Sequence, residues 1–195
     1  EKEFRGFEVA RRREVGNDAQ GAPTLVTEFH FDTGATIEAL KGKPLLVETR
    51  TETDGVFHRE ATDWTTRKLP VQPALGESRF VTFPFRRRQT THVLEQGPDD
   101  QSVMLLQEFQ YDDYGNEILM ADYGRVEGTN RLAWGDERIK SRRFSSEFSS
   151  GQQLWLLDKA VEEEIRDGTN SLAYREKLIN DDEALAGGNL GVVSK

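Results

Sequence analysis

The chain has 195 residues, of which 35% are apolar and 31% are charged, and its formal net charge at pH 7 is −9. This length is sufficient for one sizeable core or for one segment of a larger sheet assembly. The negative charge gives no general attraction to nucleic acid or to anionic membranes. The sequence contains no cysteine, which excludes disulfides, thiol catalysis and thiolate metal sites.

Two further classes of protein are disfavoured by the composition. A run of about 18 apolar residues, which a membrane-spanning helix needs, does not occur, so no membrane insertion by this segment is predicted. A disordered chain is the other alternative for a polar, charged sequence. The 11 Phe, 4 Tyr and 3 Trp argue against disorder, because their rings supply large areas for burial.

The N-terminal third predicts strands separated by loops. Residues 4–15 begin with an aromatic strand, and residues 24–32 alternate between apolar and polar side chains, as a half-buried strand does. Residues 35–43 predict a short helical turn or a loop that ends near Gly42.

Three strand–turn–strand units follow and dominate the sequence. The clearest is residues 103–126, where two apolar-rich arms flank the turn at 112–116. The others span residues 45–66 and residues 159–179. Asp, Gly and Asn favour such turns, because Asp bonds to nearby backbone N–H groups and Gly and Asn tolerate positive φ. Structural roles in these turns are predicted for Asp54, Gly55, Asp112, Asp113, Gly115, Asn116, Asp167 and Gly168.

Proline marks the predicted interruptions. Residues 69–78 contain two prolines and a glycine and are predicted to form a connector, the best place for a division within an otherwise single domain of residues 1–195. Pro84 is predicted to separate two strands, at 79–85 and 87–95, because proline removes a ladder hydrogen bond. Residues 154–166 fit both helical and strand spacing, and the turn that follows them favours a strand.

These elements predict an all-β fold in which antiparallel hairpins form a curved, open sheet or a sandwich. The units do not recur at a fixed period, which excludes a simple solenoid or propeller. A lone two-stranded ribbon is marginal in water and must join a larger sheet. A segment of a larger β-shell is therefore the predicted architecture.

No catalytic or metal-binding constellation is readable from the sequence. The three histidines are widely spaced (His30, His58 and His92), whereas zinc needs three or four convergent ligands. The Asp112–Asp113 pair is more simply explained by turn formation than by paired-carboxylate hydrolysis. The arginine runs, at 11–13, 86–88 and 142–143, predict solvated strand faces and cross-strand ion pairs rather than a phosphate site. No catalytic residue, metal ligand or cofactor is predicted.

Several short motifs, taken in order, resemble a known family. Residues 111–116 read Tyr-Asp-Asp-Tyr-Gly-Asn and are similar to the Tyr-Asp repeat of Rhs-type proteins, whose common form is Tyr-Asp-x-x-Gly-Asn. The ordered set resembles the middle region of the B component of bacterial Tc toxin complexes, near SpvB-like and Rhs-like proteins. The other motifs of the set lie at residues 4–7, 29–34, 38–43, 83–85, 97–100 and 181–184.

The resemblance implies a structural, non-enzymatic segment of a toxin-complex B-like or Rhs-like protein. In that family, β-sheet winds into a shell that encloses and delivers a toxic polypeptide. The implied partners are the remainder of a longer chain and toxin-complex C-like and A-like components, and the implied localisation is secreted, after synthesis in the cytoplasm. The self-cleaving aspartates of the Rhs core have no counterpart here, so the resemblance assigns no catalytic residue.

Two other function classes remain open at the level of sequence. Exposed aromatic and arginine side chains on strands would suit a surface module that binds a glycan or a receptor. A hydrolase with paired carboxylates is the less favoured alternative, because it requires two acids about 5 Å apart.

Overall fold

The computed structural model describes residues 6–17, 21–53, 55–71, 79–94, 102–132, 134–147 and 158–177. Within these ranges the regular structure consists of ten strands and two short 3₁₀ turns, with no α-helix. The strands are β1 (Val9–Glu14), β2 (Leu25–Phe31), β3 (Pro44–Thr51), β4 (Val56–Val71), β5 (Arg79–Val93), β6 (Val103–Tyr111), β7 (Glu117–Val126), β8 (Arg138–Phe144), β9 (Ala160–Asp167) and β10 (Leu172–Lys177).

All ten strands belong to one open antiparallel sheet, in which their order along the chain is also their order in the sheet. Each strand therefore pairs with its sequence neighbours, and β1 and β10 form the two edges. The all-β, antiparallel prediction is confirmed, as are its three hairpins, β3–β4, β6–β7 and β9–β10. The stretch at 154–166, which fitted both helical and strand spacing, forms strand β9 from Ala160 onwards.

Two predictions based on proline are wrong. Pro84 does not separate two strands, because β5 runs unbroken from Arg79 to Val93. A proline removes one ladder donor but its fixed φ lies within the extended region, and the flanking rings of Phe83 and Phe85 stack with centroids 6.4 Å apart. The predicted connector at 69–78 begins too early, since β4 continues to Val71. Residues 72–78 lie outside the described ranges.

Strand β2 shows why alternation in the sequence predicts the faces of this sheet. Thr27 lies opposite Thr49 of β3, and their hydroxyl oxygens are 3.2 Å apart. Phe29 and Phe31, two residues apart on the same face, stack with centroids 6.3 Å apart. The opposite face carries Glu28, which is bonded to Arg11 of β1. One face of β2 is thus packed and the other is polar and ion-paired.

The short segment between β2 and β3 also follows its sequence. A 3₁₀ turn occupies Glu38–Leu40, and Gly42 follows with a φ of 75°. The left-handed conformation is one that glycine adopts without steric cost. The predicted short helical turn ending near Gly42 is therefore present.

The chain divides into two compact units, each made of three pieces. The first comprises Glu1–Arg67, Thr82–Leu106 and Arg125–Arg131. Its described residues bury three apolar side chains and two hydroxyls, those of Leu94, Leu106, Val126, Thr27 and Thr51.

The second unit comprises Lys68–Val81, Gln107–Gly124 and Leu132–Lys195. Its buried described residues are Phe109, Ala121, Phe144, Val161 and Glu137. Glu137 is the most buried of them, with only 1% of its surface exposed. Both cores are small, because most side chains of the strands are only half-buried.

Candidate functional site

The turn between β6 and β7 is closed by the carboxylate of Asp112. One of its oxygens, Oδ1, accepts the backbone N–H groups of Tyr114 and Asn116, both at 2.9 Å. The other, Oδ2, accepts the Asn116 amide at 2.8 Å. The N–H of Asp112 donates to the Asn116 carbonyl and that of Gly115 to the Asp112 carbonyl, at 3.0 and 3.2 Å. Both carboxylate oxygens of Asp112 are therefore engaged in holding the turn.

Gly115 supplies the backbone conformation that this turn needs. Its φ is 92°, a value that any side chain makes costly. The bond pattern is that of a three-residue hairpin loop, a type I turn followed by a residue with positive φ. Asp113 lies at the first loop position and is exposed.

The turn between β9 and β10 repeats this geometry with Asp167 in the place of Asp112. Oδ1 of Asp167 accepts the backbone N–H groups of Thr169 and Ser171, at 3.0 and 2.8 Å, and the Thr169 hydroxyl at 2.7 Å. The Thr169 hydroxyl and the Ser171 N–H are the main groups that lower the pKa of the Asp167 carboxyl. Asn170 takes the place of Gly115, with a φ of 66°.

Gly168 is present in this turn for a different reason from the one that the sequence suggested. Its φ is not in the left-handed region. A Cβ at position 168 would instead lie 2.4 Å from Oε2 of Glu137, far inside contact distance. Glycine leaves the space that the buried carboxylate of Glu137 occupies beside the backbone.

Glu137 is the residue that the sequence did not reveal. Its Oε1 is buried and accepts no hydrogen bond within the described part of the chain. The neighbouring Asp136 makes a similar approach to Gly124, where a Cβ would lie 2.4 Å from its Oδ2. Two successive acids therefore each lie against a glycine of another strand or turn. No local pattern signals this, because both contacts join residues that are distant along the chain.

The turn between β3 and β4 uses a threonine instead of an aspartate. The N–H of Thr51 donates to the Gly55 carbonyl at 2.9 Å, and the N–H of Gly55 donates to the Thr51 hydroxyl at 3.0 Å. Thr51 is only 6% exposed. The prediction for Gly55 falls on this turn, whereas that for Asp54 lies outside the described residues.

Arginine side chains of β1 form ion pairs with carboxylates of other parts of the chain. Arg11 bonds to Glu28, whose pKa is lowered chiefly by this hydrogen bond. Arg13 bonds to Glu52 at 2.6 Å, which lowers the pKa of that carboxyl. Two of the three arginines of the first run, Arg11 and Arg13, thus form ion pairs with acids outside their own strand.

The second and third arginine runs also form ion pairs, although Arg86 of the second run donates to the side-chain carbonyl of Gln89 at 2.6 Å. Arg87 of β5 bonds to Asp63 of β4. Arg142 of β8 bonds to Glu163 of β9 at 2.9 Å, and Lys140 bonds to the same carboxylate at 2.8 Å. Burial opposes ionisation of Glu163, yet these two cations outweigh it and its pKa is lowered.

Glu162, Glu163 and Glu164 alternate between the two faces of β9. Glu164 is bonded to Arg166 and to Arg175 of β10, and these hydrogen bonds, chiefly that from Arg175, lower its pKa. Glu162 lies 3.3 Å from Arg143 of β8. The acidic run therefore joins three neighbouring strands, β8, β9 and β10.

The three histidines occupy separate places in the sheet. His30 bonds to Glu28 at 2.8 Å. His58 of β4 lies opposite Thr49 of β3, and His92 bonds to Ser102 at 3.2 Å. Among the described residues, no three His, Asp or Glu side chains converge closely enough to hold a metal ion.

The comparisons with known proteins add no relative. No family model matches the chain, and no curated protein is significantly similar to it. In the ranges that the structure describes, no helix has the length and apolar character needed to cross a membrane.

Proposed function

We propose that this chain is a structural, non-enzymatic segment of a toxin-complex B-like or Rhs-like protein. It contributes β-sheet to a shell that encloses a toxic polypeptide and delivers it. Its partners are the remainder of its own longer chain and toxin-complex C-like and A-like components, and the assembly is exported from the cell.

The observation that carries this proposal is the open, sequential sheet with two exposed edges. Every described residue of β1 is exposed, as are all but one of β10. Among the described residues, neither edge strand has a partner on its outer side, and a row of N–H and C=O groups left in this way favours pairing with a further strand. A sheet of this kind extends by adding strands at either side, which is what a wall built from many hairpins requires.

The polar, ion-paired faces of the strands support the same role. Ion pairs and threonine contacts occupy positions on β2, β3, β8 and β9 that apolar residues fill in an ordinary core. A wall with large apolar patches would bind unfolded cargo, because contiguous exposed apolar surface is adhesive. If the inner face of the shell is polar, an enclosed polypeptide does not adhere to it and can be released.

The turn carboxylates favour architecture over hydrolysis. Asp112 uses both carboxylate oxygens in hydrogen bonds to its own turn, and Asp167 accepts three bonds at one oxygen. A general base or nucleophile needs a carboxylate that can reach its substrate. Both carboxylates are engaged in hydrogen bonds that close their own turns.

Electron cryomicroscopy of the full reading frame that encodes this chain tests the proposal. The expected result is a hollow particle in which β1 and β10 are hydrogen-bonded to strands on either side. Protease treatment should then cleave the enclosed polypeptide only after the particle is opened. A separate globular module whose two edges both face solvent would contradict the proposal.

A surface module that binds a glycan or receptor is the second candidate. It is favoured by large aromatic side chains that remain exposed, among them Phe80 at 58%, Trp134 at 50% and Tyr174 at 44%. Such rings form stacking platforms for sugars when they lie together. A glycan array probed with the chain tests this function, with Trp134→Ala as the matched variant. Selective binding that this variant loses would favour the module over the shell.

A further inference from the structure

We propose that the open edge of β1 is a docking site for an extended, carboxylate-rich segment, which adds to the sheet as a further strand. This inference deepens the proposed function, since a shell segment needs a neighbour at this edge. The inference rests on the proposed function in one respect: the partner strand belongs to the same assembly.

The hydrogen bonding of β1 fixes which backbone groups are available. The N–H of Phe31 donates to the Glu8 carbonyl at 2.8 Å, and the register then pairs the strand regularly from Val9 opposite His30 onwards. In an antiparallel ladder, hydrogen-bonded and non-bonded pairs alternate. Every second residue from Glu8 therefore bonds to β2. The intervening residues direct their N–H and C=O groups to the open edge: Val9, Arg11 and Arg13.

The chemistry of the partner follows from a rule that the neighbouring strands obey. An arginine of one strand bonds to a carboxylate of the next in the β1–β2, β3–β4, β4–β5, β8–β9 and β9–β10 ladders. The pairs are Arg11–Glu28, Arg59–Glu48, Arg87–Asp63, Arg142–Glu163 and Arg175–Glu164. Opposite charges on paired strands attract, so a strand that pairs with an arginine-bearing strand is more stable there when it carries carboxylates.

Within the part of the chain that the structure describes, Arg12 is the arginine of β1 that lacks a cross-strand carboxylate. Its ion pair is with Glu14 of its own strand, at 3.4 Å, and its side chain is 62% exposed. Arg12 bonds through its backbone to β2, so in a new antiparallel ladder it occupies a non-bonded position, where facing side chains are closest. A carboxylate opposite Arg12 would complete the pattern seen across the other ladders.

The composition of the edge fits the same partner. Strand β1 holds three arginines and one glutamate in a chain whose net charge is −9. Charged side chains on an edge also protect sheets from unwanted pairing. A purely protective edge would reject every strand, whereas a docking edge discriminates by charge.

A peptide titration of the ¹⁵N-labelled chain separates these outcomes. The probes are two synthetic hexapeptides, one alternating Thr with Glu and the other alternating Thr with Lys. We expect the Glu peptide to shift the amide resonances of Val9, Arg11 and Arg13, and to bind at least about tenfold more tightly than the Lys peptide. Equal binding of both peptides, or no shift at these three amides, would overturn the inference.

Two variants test the two parts of the site separately. Val9→Pro removes an outward N–H without removing a bond to β2, which an edge strand tolerates, and should abolish binding, whereas Val9→Ala should retain it. Arg12→Glu should reverse the charge preference towards the Lys peptide. An unchanged preference in Arg12→Glu would contradict the role of that side chain.

Failure of this inference is distinguishable from failure of the proposed function. A particle in which β1 pairs with a neutral or basic strand would refute the carboxylate-rich partner and leave the shell intact. A full-length protein in which the β1 edge faces solvent would refute both.

Discussion

The β6–β7 and β9–β10 turns each depend on one residue with positive φ. Gly115 and Asn170 occupy the same place in equivalent turns, each three residues after the aspartate that closes the loop. Asn is the residue other than glycine that most readily adopts this conformation. The two turns therefore show one backbone requirement met by two side chains.

Substitutions at Gly115 should follow that requirement. Gly115→Val should lower the free energy of unfolding by about 2 kcal/mol, because a β-branched side chain resists positive φ. Gly115→Asn should cost about 1 kcal/mol or less, as the natural residue at Asn170 indicates. Urea denaturation measures both. Equal loss in the two variants would show that side-chain volume, and not φ, limits this position.

The contact between Gly168 and Glu137 makes a second prediction at this scale. Gly168→Ala should destabilise the chain by about 1–3 kcal/mol, because its methyl group displaces a buried carboxylate. In a Glu137→Ala background the same substitution should cost much less, giving a coupling energy of about 1 kcal/mol or more. Gly128→Ala is the control for this coupling: its φ of 58° strains any side chain but nothing lies within 4 Å of its Cβ position, so its cost should be the same with and without Glu137.

At the scale of elements, ion pairs bind β8, β9 and β10 together. Glu163 is only 19% exposed and is held by Lys140 and Arg142 of β8. Glu164 is held by Arg175 of β10 and by Arg166. Because both carboxyls have a lowered pKa, their ionised forms are favoured in the folded sheet.

This arrangement predicts a loss of stability in acid. Groups whose pKa is lowered by folding contribute fully above their ordinary value, which is 4.5 for these carboxyls, and lose that contribution as the pH falls through the folded pKa. The free energy of unfolding should therefore be level near neutral pH and fall below about pH 4.5. Urea titrations between about pH 3 and 7 measure the profile.

Removing one carboxylate should flatten that profile. Glu163→Gln should cost about 1 kcal/mol at pH 7 and reduce the acid dependence, because its two cations lose their charged partner. Glu176→Gln is a matched control on β10, since that carboxylate accepts the Tyr174 hydroxyl rather than a cation. A parallel profile in wild type and Glu163→Gln would contradict the role of this pair.

At the scale of the whole molecule, stability comes from ladders more than from a core. Among the described residues, seven apolar side chains are buried, which is few for a sheet of ten strands. Each interior strand, in contrast, pairs with neighbours on both sides. Backbone pairing and cross-strand contacts therefore stabilise the sheet at most of its positions.

Hydrogen exchange should reflect this distribution. Amides of Val9, Arg11 and Arg13 should exchange fastest within β1, while those of β2 that face β1 or β3 should be protected. The same contrast should hold between β10 and β9. Slow exchange throughout β1 in the isolated chain would show that its edge is already covered.

The sequence by itself determined the all-β class, the three hairpins and the turn positions around Asp112 and Asp167. These follow from two-residue alternation and from local hydrogen bonds of Asp, Gly and Asn, which involve neighbours within five residues. It also predicted correctly that the arginine runs form ion pairs, because opposite charges on adjacent strands attract.

Tertiary structure alone decided the continuity of β5 through Pro84, the burial of Glu137 and the reason for Gly168. Proline weakens a strand locally, but β5 pairs with β4 on one side and β6 on the other, and the strand continues through Pro84. The approach of Glu137 to Gly168 joins positions 31 residues apart in the chain. Contacts of that kind depend on how the strands are brought together, and residue types within a short window do not encode them.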